Sequence, residues 1–194
     1  MRGTIGIAAA WLVMAGCAGP VAPGPHDADL NQVYQNYSAA YAALDPQALV
    51  NGTYAEEAVY VRSGPRPPSV GRDAIADNFT GWFAGLKKDG QRLSLAFRVM
   101  HRDVFAQSAT DVGLYRLRRF GPDGALEDES YGRFLTVFGQ DRDGAWRFVR
   151  DLDTSATKEL WDAQQPVPGL VFDDETHGCA AECAKQKAPS TRAP

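Results

Sequence analysis

The chain has 194 residues, of which 44% are hydrophobic and 23% are charged. This length fits one globular domain with terminal extensions, because domains commonly run to about 100–150 residues. There are 20 Lys and Arg residues against 24 Asp and Glu residues, a net charge of −4. Affinity for nucleic acid comes largely from neutralising phosphates, so this mildly acidic balance argues against a nucleic-acid partner.

The N-terminus has the pattern of an export signal. Arg2 precedes an apolar run over residues 5–14, and small residues then lead into Cys17. The run is too short for a helix that spans the ~30 Å hydrocarbon core of a bilayer. We therefore predict a signal peptide over residues 1–16.

The cleavage region, residues 13–17 (VMAGC), resembles a bacterial lipobox, with Met14 where leucine is usual. The resemblance implies that Cys17 carries palmitate or a similar acyl chain. The lipid anchor would then be the only membrane contact of a protein held in the cell envelope, in the periplasm or on the outer surface. The alternative is a plain signal peptide cut near Ala18, which would discard Cys17.

Both ends of the chain outside the expected domain are irregular. Residues 17–27 are rich in Pro and Gly and are predicted to form a tether. If Cys17 is lipidated, Cys179 and Cys183 remain as a pair, and helical i, i+4 spacing would allow a disulfide; two free thiols are the alternative. His177 beside them gives too few ligands for a zinc site, so no metal is expected.

Apolar periodicity predicts three helices before the main sheet. An amphipathic stripe over residues 30–44 predicts the first helix, with Asp27 or Asp29 as its N-cap. Asp45 precedes Pro46 and is expected to cap a short second helix. The third is expected to begin near Arg72 and to present an apolar face as far as residue 86.

Alternating residues predict strands. One short strand is expected over residues 58–61, and four more over residues 92–99, 110–120, 130–138 and 145–152. Short turns between the last four predict an antiparallel meander. The fold class is therefore α+β, a curved antiparallel sheet packed over three N-terminal helices in the order α-α-β-α-β-β-β-β. The domain is expected over residues 28–157, followed by a loosely packed tail over residues 158–194.

Three stretches resemble the nuclear-transport-factor-2-like superfamily, in its SnoaL-like and ketosteroid-isomerase-like branch. They are residues 41–49 (YAALDPQAL), residues 70–75 (VGRDAI), and residues 143–151 (DGAWRFVRD) with Ser155. The resemblance implies a cone-shaped sheet with an interior pocket and a homodimer formed across the sheet. It implies no particular activity, because members include enzymes and non-enzymatic association domains.

Three residues are candidates for acid–base chemistry in such a pocket. By strand alternation, His101 and Asp103 continue an apolar face and would point inward, with His101 as base and Asp103 orienting it. The alternative is that they are ordinary charges near a turn. Asp151 would lie at the pocket mouth, or would form an ion pair with Arg133 or Arg150 instead.

Other residues are candidates for ligand binding. Arg133 lies among apolar neighbours and would bind an anionic group or pair with a carboxylate. Four aromatic residues are expected to line the pocket or simply to fill the core: Tyr41, Trp82, Phe97 and Tyr115.

The sequence contains no phosphate-binding Gly loop, no Gly-x-Ser-x-Gly elbow and no two-His metal spacing, so no cofactor is expected. The leading hypothesis is a binding, accessory or dimerisation domain for a small hydrophobic or anionic ligand. The alternative is an acid–base enzyme of the isomerase, cyclase or dehydratase type acting on a small hydrophobic substrate.

Overall fold

The computed structural model describes residue 24 and residues 26–172. The predicted signal peptide, the lipidation site Cys17 and the pair Cys179 and Cys183 lie outside the described residues. Among the residues that are described, no helix is long and apolar enough to cross a membrane.

The three predicted N-terminal helices are present as α1 (Asp27–Ala43), α2 (Pro46–Thr53) and α3 (Arg72–Lys88). The carboxylate of Asp45 accepts hydrogen bonds from the backbone N–H groups of Gln47 and Ala48 and so caps α2 as predicted. The predicted cap of α1 is wrong. The residue before α1 is His26, whose side chain makes no capping bond, and Asp27 lies in the first turn.

The sheet has seven strands in the spatial order β2-β1-β6-β5-β4-β3-β7 and is curved and unclosed. The strands are β1 (Tyr54–Val61), β2 (Ser69–Val70), β3 (Arg92–Val104), β4 (Ser108–Phe120), β5 (Leu126–Gln140), β6 (Trp146–Ala156) and β7 (Val171–Phe172).

The predicted α+β class and the β3–β6 meander are confirmed. One pairing differs from the predicted antiparallel sheet, because β1 pairs with β6 in parallel. The chain between these two strands contains α3 and most of the meander. Such a long crossover permits parallel pairing, whereas a short turn does not.

Bulges in β3 and β6 reverse the direction of the side chains that follow them. The extra residue is Met100 in β3 and Val149 in β6. Because strand side chains alternate between faces, one extra residue moves every later side chain to the opposite face. The residues after each bulge therefore point opposite to what uninterrupted alternation predicts.

Helix α4 (Lys158–Ala163) lies after the meander and packs on the outer face of the sheet, opposite α1 and α3. It buries Trp161 against Ala96 and Leu114, with the guanidinium of Arg98 4.0 Å from the centre of the indole ring. Further on, the side chain of Phe172 is also buried in the main core. Packed structure thus extends beyond residue 157, the predicted end of the domain.

Candidate functional site

A cavity of about 400 Å³ lies between the concave face of the sheet and helices α1 and α3. This volume is in the range of small-molecule sites, about 300–1,000 Å³. Ten of its nineteen lining residues are aromatic, and seven are polar or charged. The aromatic lining residues are Tyr34, Tyr37, Tyr41, Tyr60, Phe79, Trp82, Phe97, Tyr115, Phe134 and Phe148.

Asp151 is a buried carboxyl on the cavity wall, only 6% exposed. The bulge at Val149 turns it inward from β6. The hydroxyl of Tyr54 donates a hydrogen bond to its Oδ2 at 2.6 Å. Burial raises the pKa of Asp151 from its usual 3.8 to about 7, and the nearby Asp153 carboxylate adds to this rise. Hydrogen bonds from Tyr54 and Thr136 oppose the rise by stabilising the ionised form.

Asp153 lies two residues further along β6 and also faces the cavity. Its Oδ2 accepts a hydrogen bond from the Tyr60 hydroxyl at 2.8 Å, and its Oδ1 accepts one from the backbone N–H of Ser63 at 2.9 Å. Ser63 belongs to the segment that connects β1 to β2. Asp153 therefore ties that segment to the sheet at the edge of the cavity.

Tyrosine hydroxyls surround the two carboxyl groups. The Tyr37 and Tyr54 oxygens are 3.3 Å apart, and Tyr37 donates here because the single proton of Tyr54 is already directed at Asp151. Burial raises the pKa of Tyr54 well above 10 and that of Tyr115 to about 12. These phenols stay protonated at neutral pH, so they act as hydrogen-bond donors.

His101 and Asp103 do not line the cavity. Their side chains are 68% and 53% exposed, with His101 Nε2 3.1 Å from Asp103 Oδ2. The predicted inward orientation is wrong because the bulge at Met100 moves both side chains to the outer face. Arg102, between them, points inward instead and is only 5% exposed.

Arg133 is also on the exposed outer face of β5, so it does not reach the cavity. The inward residues of that strand are Phe134, Thr136 and Phe138. The prediction that Arg133 lies on the buried face is therefore wrong. The alternative ion pair between Asp151 and Arg133 or Arg150 is absent from the described structure, where tyrosine and threonine hydroxyls bind the Asp151 carboxyl. By contrast, the cavity is lined as predicted by Tyr41, Trp82, Phe97 and Tyr115. That these residues bind a ligand stays a prediction.

Sequence reasoning missed several residues of the site. Asp153 could have been found from the sequence, because it is two residues from Asp151 and residues at this spacing share one strand face. Tyr54 had none, since it lies before the short strand that the sequence predicts. Arg62 and Arg66 lie at the edge of the cavity in a proline-rich loop that the sequence identifies only as irregular.

A second polar group is buried at the other end of α1. Arg102 donates to both carboxylate oxygens of Asp111, at 2.8 and 2.7 Å, and also reaches Asn31 and Asp27. Tyr34 donates to Asp111 at 2.9 Å. This network joins β3 and β4 to α1. Within the described residues, no group of three or more His, Cys, Asp or Glu residues is arranged to hold a metal ion.

Solved structures resemble this arrangement closely enough to decide the fold. A ketosteroid isomerase-like protein from Erwinia carotovora is 18% identical, with a TM-score of 0.54, over 69% of this chain and 98% of that one. ActVI-ORFA from Streptomyces coelicolor is 15% identical, with a TM-score of 0.59, over 66% of this chain and 95% of that one. This chain has the nuclear-transport-factor-2-like fold.

A further structure with this nuclear-transport-factor-2-like fold is an NTF2-like protein from Novosphingobium aromaticivorans. It is 20% identical, with a TM-score of 0.57, over 71% of this chain and 88% of that one. Neither a family model nor a curated protein sequence matches the chain. The likeness establishes the cone-shaped architecture, and the function has to be argued from the cavity.

Proposed function

We propose that the chain binds a small, largely apolar molecule in the cavity and that Asp151 exchanges a proton with it. The reaction would be of the isomerase or dehydratase type. The observation that carries this proposal is the position of Asp151, a buried carboxyl on an aromatic wall. With a pKa of about 7, this carboxyl is present both as acid and as base near neutral pH, as general acid–base catalysis requires.

The neighbouring residues have distinct roles in this proposal. Tyr54 orients the Asp151 carboxyl and cannot also donate to a ligand, because it has one proton. Tyr41 and Tyr115 line the cavity, and their hydroxyls would donate to an oxygen of the ligand that becomes negative during proton transfer. With a ligand bound, the aromatic rings around it would exclude water and so strengthen these interactions.

Proton abstraction can be tested without knowing the natural substrate. We expect the purified protein to accelerate exchange of the α-protons of 2-tetralone with D₂O, measured by proton NMR. Asp151→Asn should remove the acceleration. Asp128→Asn, which changes an exposed carboxylate on β5, should leave it intact. Exchange no faster than in buffer, or equal loss in both variants, would contradict the proposal.

Binding without catalysis is the second candidate. It is favoured by the fact that both inward carboxyls already accept hydrogen bonds from the protein, Asp151 from Tyr54 and Asp153 from Tyr60 and Ser63. This role predicts that 2-tetralone binds to the wild type and to Asp151→Asn with similar affinity and that neither protein accelerates exchange. Titration calorimetry beside the NMR experiment separates the two roles.

We also propose that the domain is anchored in the cell envelope through a lipid on Cys17. Support comes only from the sequence of residues 1–17. Expression of the full chain in a bacterial host should give a membrane-associated protein whose N-terminal residue is an acylated Cys17 by mass spectrometry. Cys17→Ser should be exported without acyl chains, and an intact initiator Met1 on the wild-type protein would contradict the anchor.

A further inference from the structure

Two arginines lie at the edge of the cavity. Arg62 and Arg66 both line it, and both come from the segment between β1 and β2. Within residues 26–172, neither guanidinium makes a hydrogen bond or an ion pair with another side chain. Burial and the carboxylates of Asp153 and Asp151 raise the pKa of Tyr115, and the charge of Arg62 opposes this rise. Arg62 therefore lies within electrostatic range of the cavity wall.

The segment that carries these arginines is held in place. Asp153 accepts a hydrogen bond from the backbone N–H of Ser63 at 2.9 Å, and the backbone N–H of Arg66 donates to the carbonyl of Gly64 at 2.9 Å. Three prolines within residues 65–68 fix the backbone further. A charged loop that is ordered before binding loses less entropy when a ligand arrives.

The cavity is therefore chemically divided. Part of its wall is apolar, formed by side chains such as Phe79, Phe97 and Leu117, and this part would take a hydrophobic body. Its positive charges are Arg62 and Arg66 at the edge. A guanidinium recognises a carboxylate through two parallel hydrogen bonds, a geometry that suits planar organic acids.

We infer that the ligand is an amphipathic organic anion, with an aromatic or alicyclic body in the cavity and a carboxylate bound at the edge by Arg62 and Arg66. This inference rests on the binding half of the proposed function and adds the charge of the ligand. It moves the expected anion site from Arg133, on the outer face, to the loop between β1 and β2.

Two nearly isosteric probes test the inference, 2-naphthoate and the neutral 2-naphthamide, titrated calorimetrically into the wild type at low salt. We expect the naphthoate to bind at least about tenfold more tightly. In the double variant Arg62→Gln/Arg66→Gln, naphthoate should no longer bind more tightly than naphthamide, and the affinity for naphthamide should change less than about twofold. Arg142→Gln is the matched control, because Arg142 is an exposed arginine on the turn between β5 and β6. It should behave as the wild type.

Each other result overturns the inference. Equal affinity for the two probes in the wild type, or an equal loss of naphthoate binding in Arg142→Gln, would show that the edge arginines do not select the anion. The proposed function would then be judged separately, by exchange of the neutral 2-tetralone. Failure of naphthoate to bind while 2-tetralone exchanges would reject the anionic ligand alone. Failure of both would reject both proposals.

Discussion

At the scale of single residues, the environment of Asp151 decides its chemistry. The carboxyl is buried among aromatic rings, and burial disfavours its charged form. The hydrogen bond from Tyr54 stabilises the ionised form and so limits the rise of the pKa. Asp153, two residues away, is bonded to a backbone N–H and a phenol, and it serves to hold the loop. Two carboxyls on one strand face are therefore given different roles by their partners.

The raised pKa of Asp151 predicts how stability depends on pH. The folded state holds a proton up to about pH 7, whereas the unfolded chain releases it near its usual pKa of 3.8. The resulting stabilisation is fully present below pH ~4 and is lost as the pH rises through about 7. Between pH 5 and pH 8 the loss is about 2–3 kcal/mol of unfolding free energy.

Asp151→Asn should lack this component, because the amide does not titrate while its oxygen can still accept from Tyr54. Urea denaturation of both proteins at pH 5 and pH 8 measures the difference. We expect the variant to gain stability relative to the wild type at pH 8. A constant difference between the two proteins at both pH values would contradict the raised pKa.

At the scale of elements, alternation predicted the strands well and their faces poorly. The meander, its turns and the cap at Asp45 follow from local chemistry, namely period-two patterns, Asp-Gly turns and a side-chain oxygen before Pro46. The bulges at Met100 and Val149 carry no local signal, since the pairing strand decides which residue is extra. They turned His101 outward and Asp151 inward. The predicted inward position of Arg133 is wrong for another reason. Both faces of β5 carry apolar residues, so alternation alone does not show which face is buried.

A close approach between strands fixes Tyr115 in the cavity wall. Gly132 on β5 is directly opposite Tyr115 on β4, and a Cβ at this position would overlap the tyrosine ring. We expect Gly132→Ala to displace the ring and to lower the unfolding free energy by about 1–3 kcal/mol. Thermal and urea unfolding would measure the loss.

The matched control is Gly85→Ala on α3, where an added Cβ meets nothing within 4 Å. Alanine in a helix interior should instead stabilise the protein by about 0.5–1 kcal/mol. The two Gly→Ala changes are thus expected to have opposite signs. A Gly132→Ala variant as stable as the wild type would show that Tyr115 is free to move.

The network around Arg102 joins the sheet to α1, and it should be costly to break. Arg102→Met keeps the apolar length of the side chain but leaves the fully buried Asp111 carboxylate without its ion pair. We expect a loss of about 3–5 kcal/mol in unfolding free energy, measured by urea denaturation. The double variant Arg102→Met/Asp111→Asn should recover part of the lost unfolding free energy, because it no longer buries an unpaired carboxylate. If the single variant lost under about 1 kcal/mol, the network would not be what holds α1 on the sheet.

At the scale of the whole molecule, the sheet has two differently used faces. The concave face forms the core and the cavity, and α4 covers part of the outer face through Trp161. Beside α4, three apolar side chains form a row across adjacent strands, each 40% exposed: Val112, Leu135 and Leu152. Such a row on an open sheet is typical of a surface that another chain covers. We therefore propose that the homodimer across the sheet, which the family resemblance implies, forms through this row.

Leu135, at the centre of the row, gives the sharpest test of that dimer. A two-fold interface contains the same residue from both copies, so Leu135→Glu would bury one charge from each copy in the interface. We expect the chain from residue 18 onward to sediment as a dimer in analytical ultracentrifugation and this variant to sediment as a monomer. Val70→Glu is the control, because Val70 is 62% exposed on β2, away from the row. Since neither residue touches the cavity, naphthoate binding should survive in both variants. A wild-type monomer would leave the apolar row without the partner proposed for it.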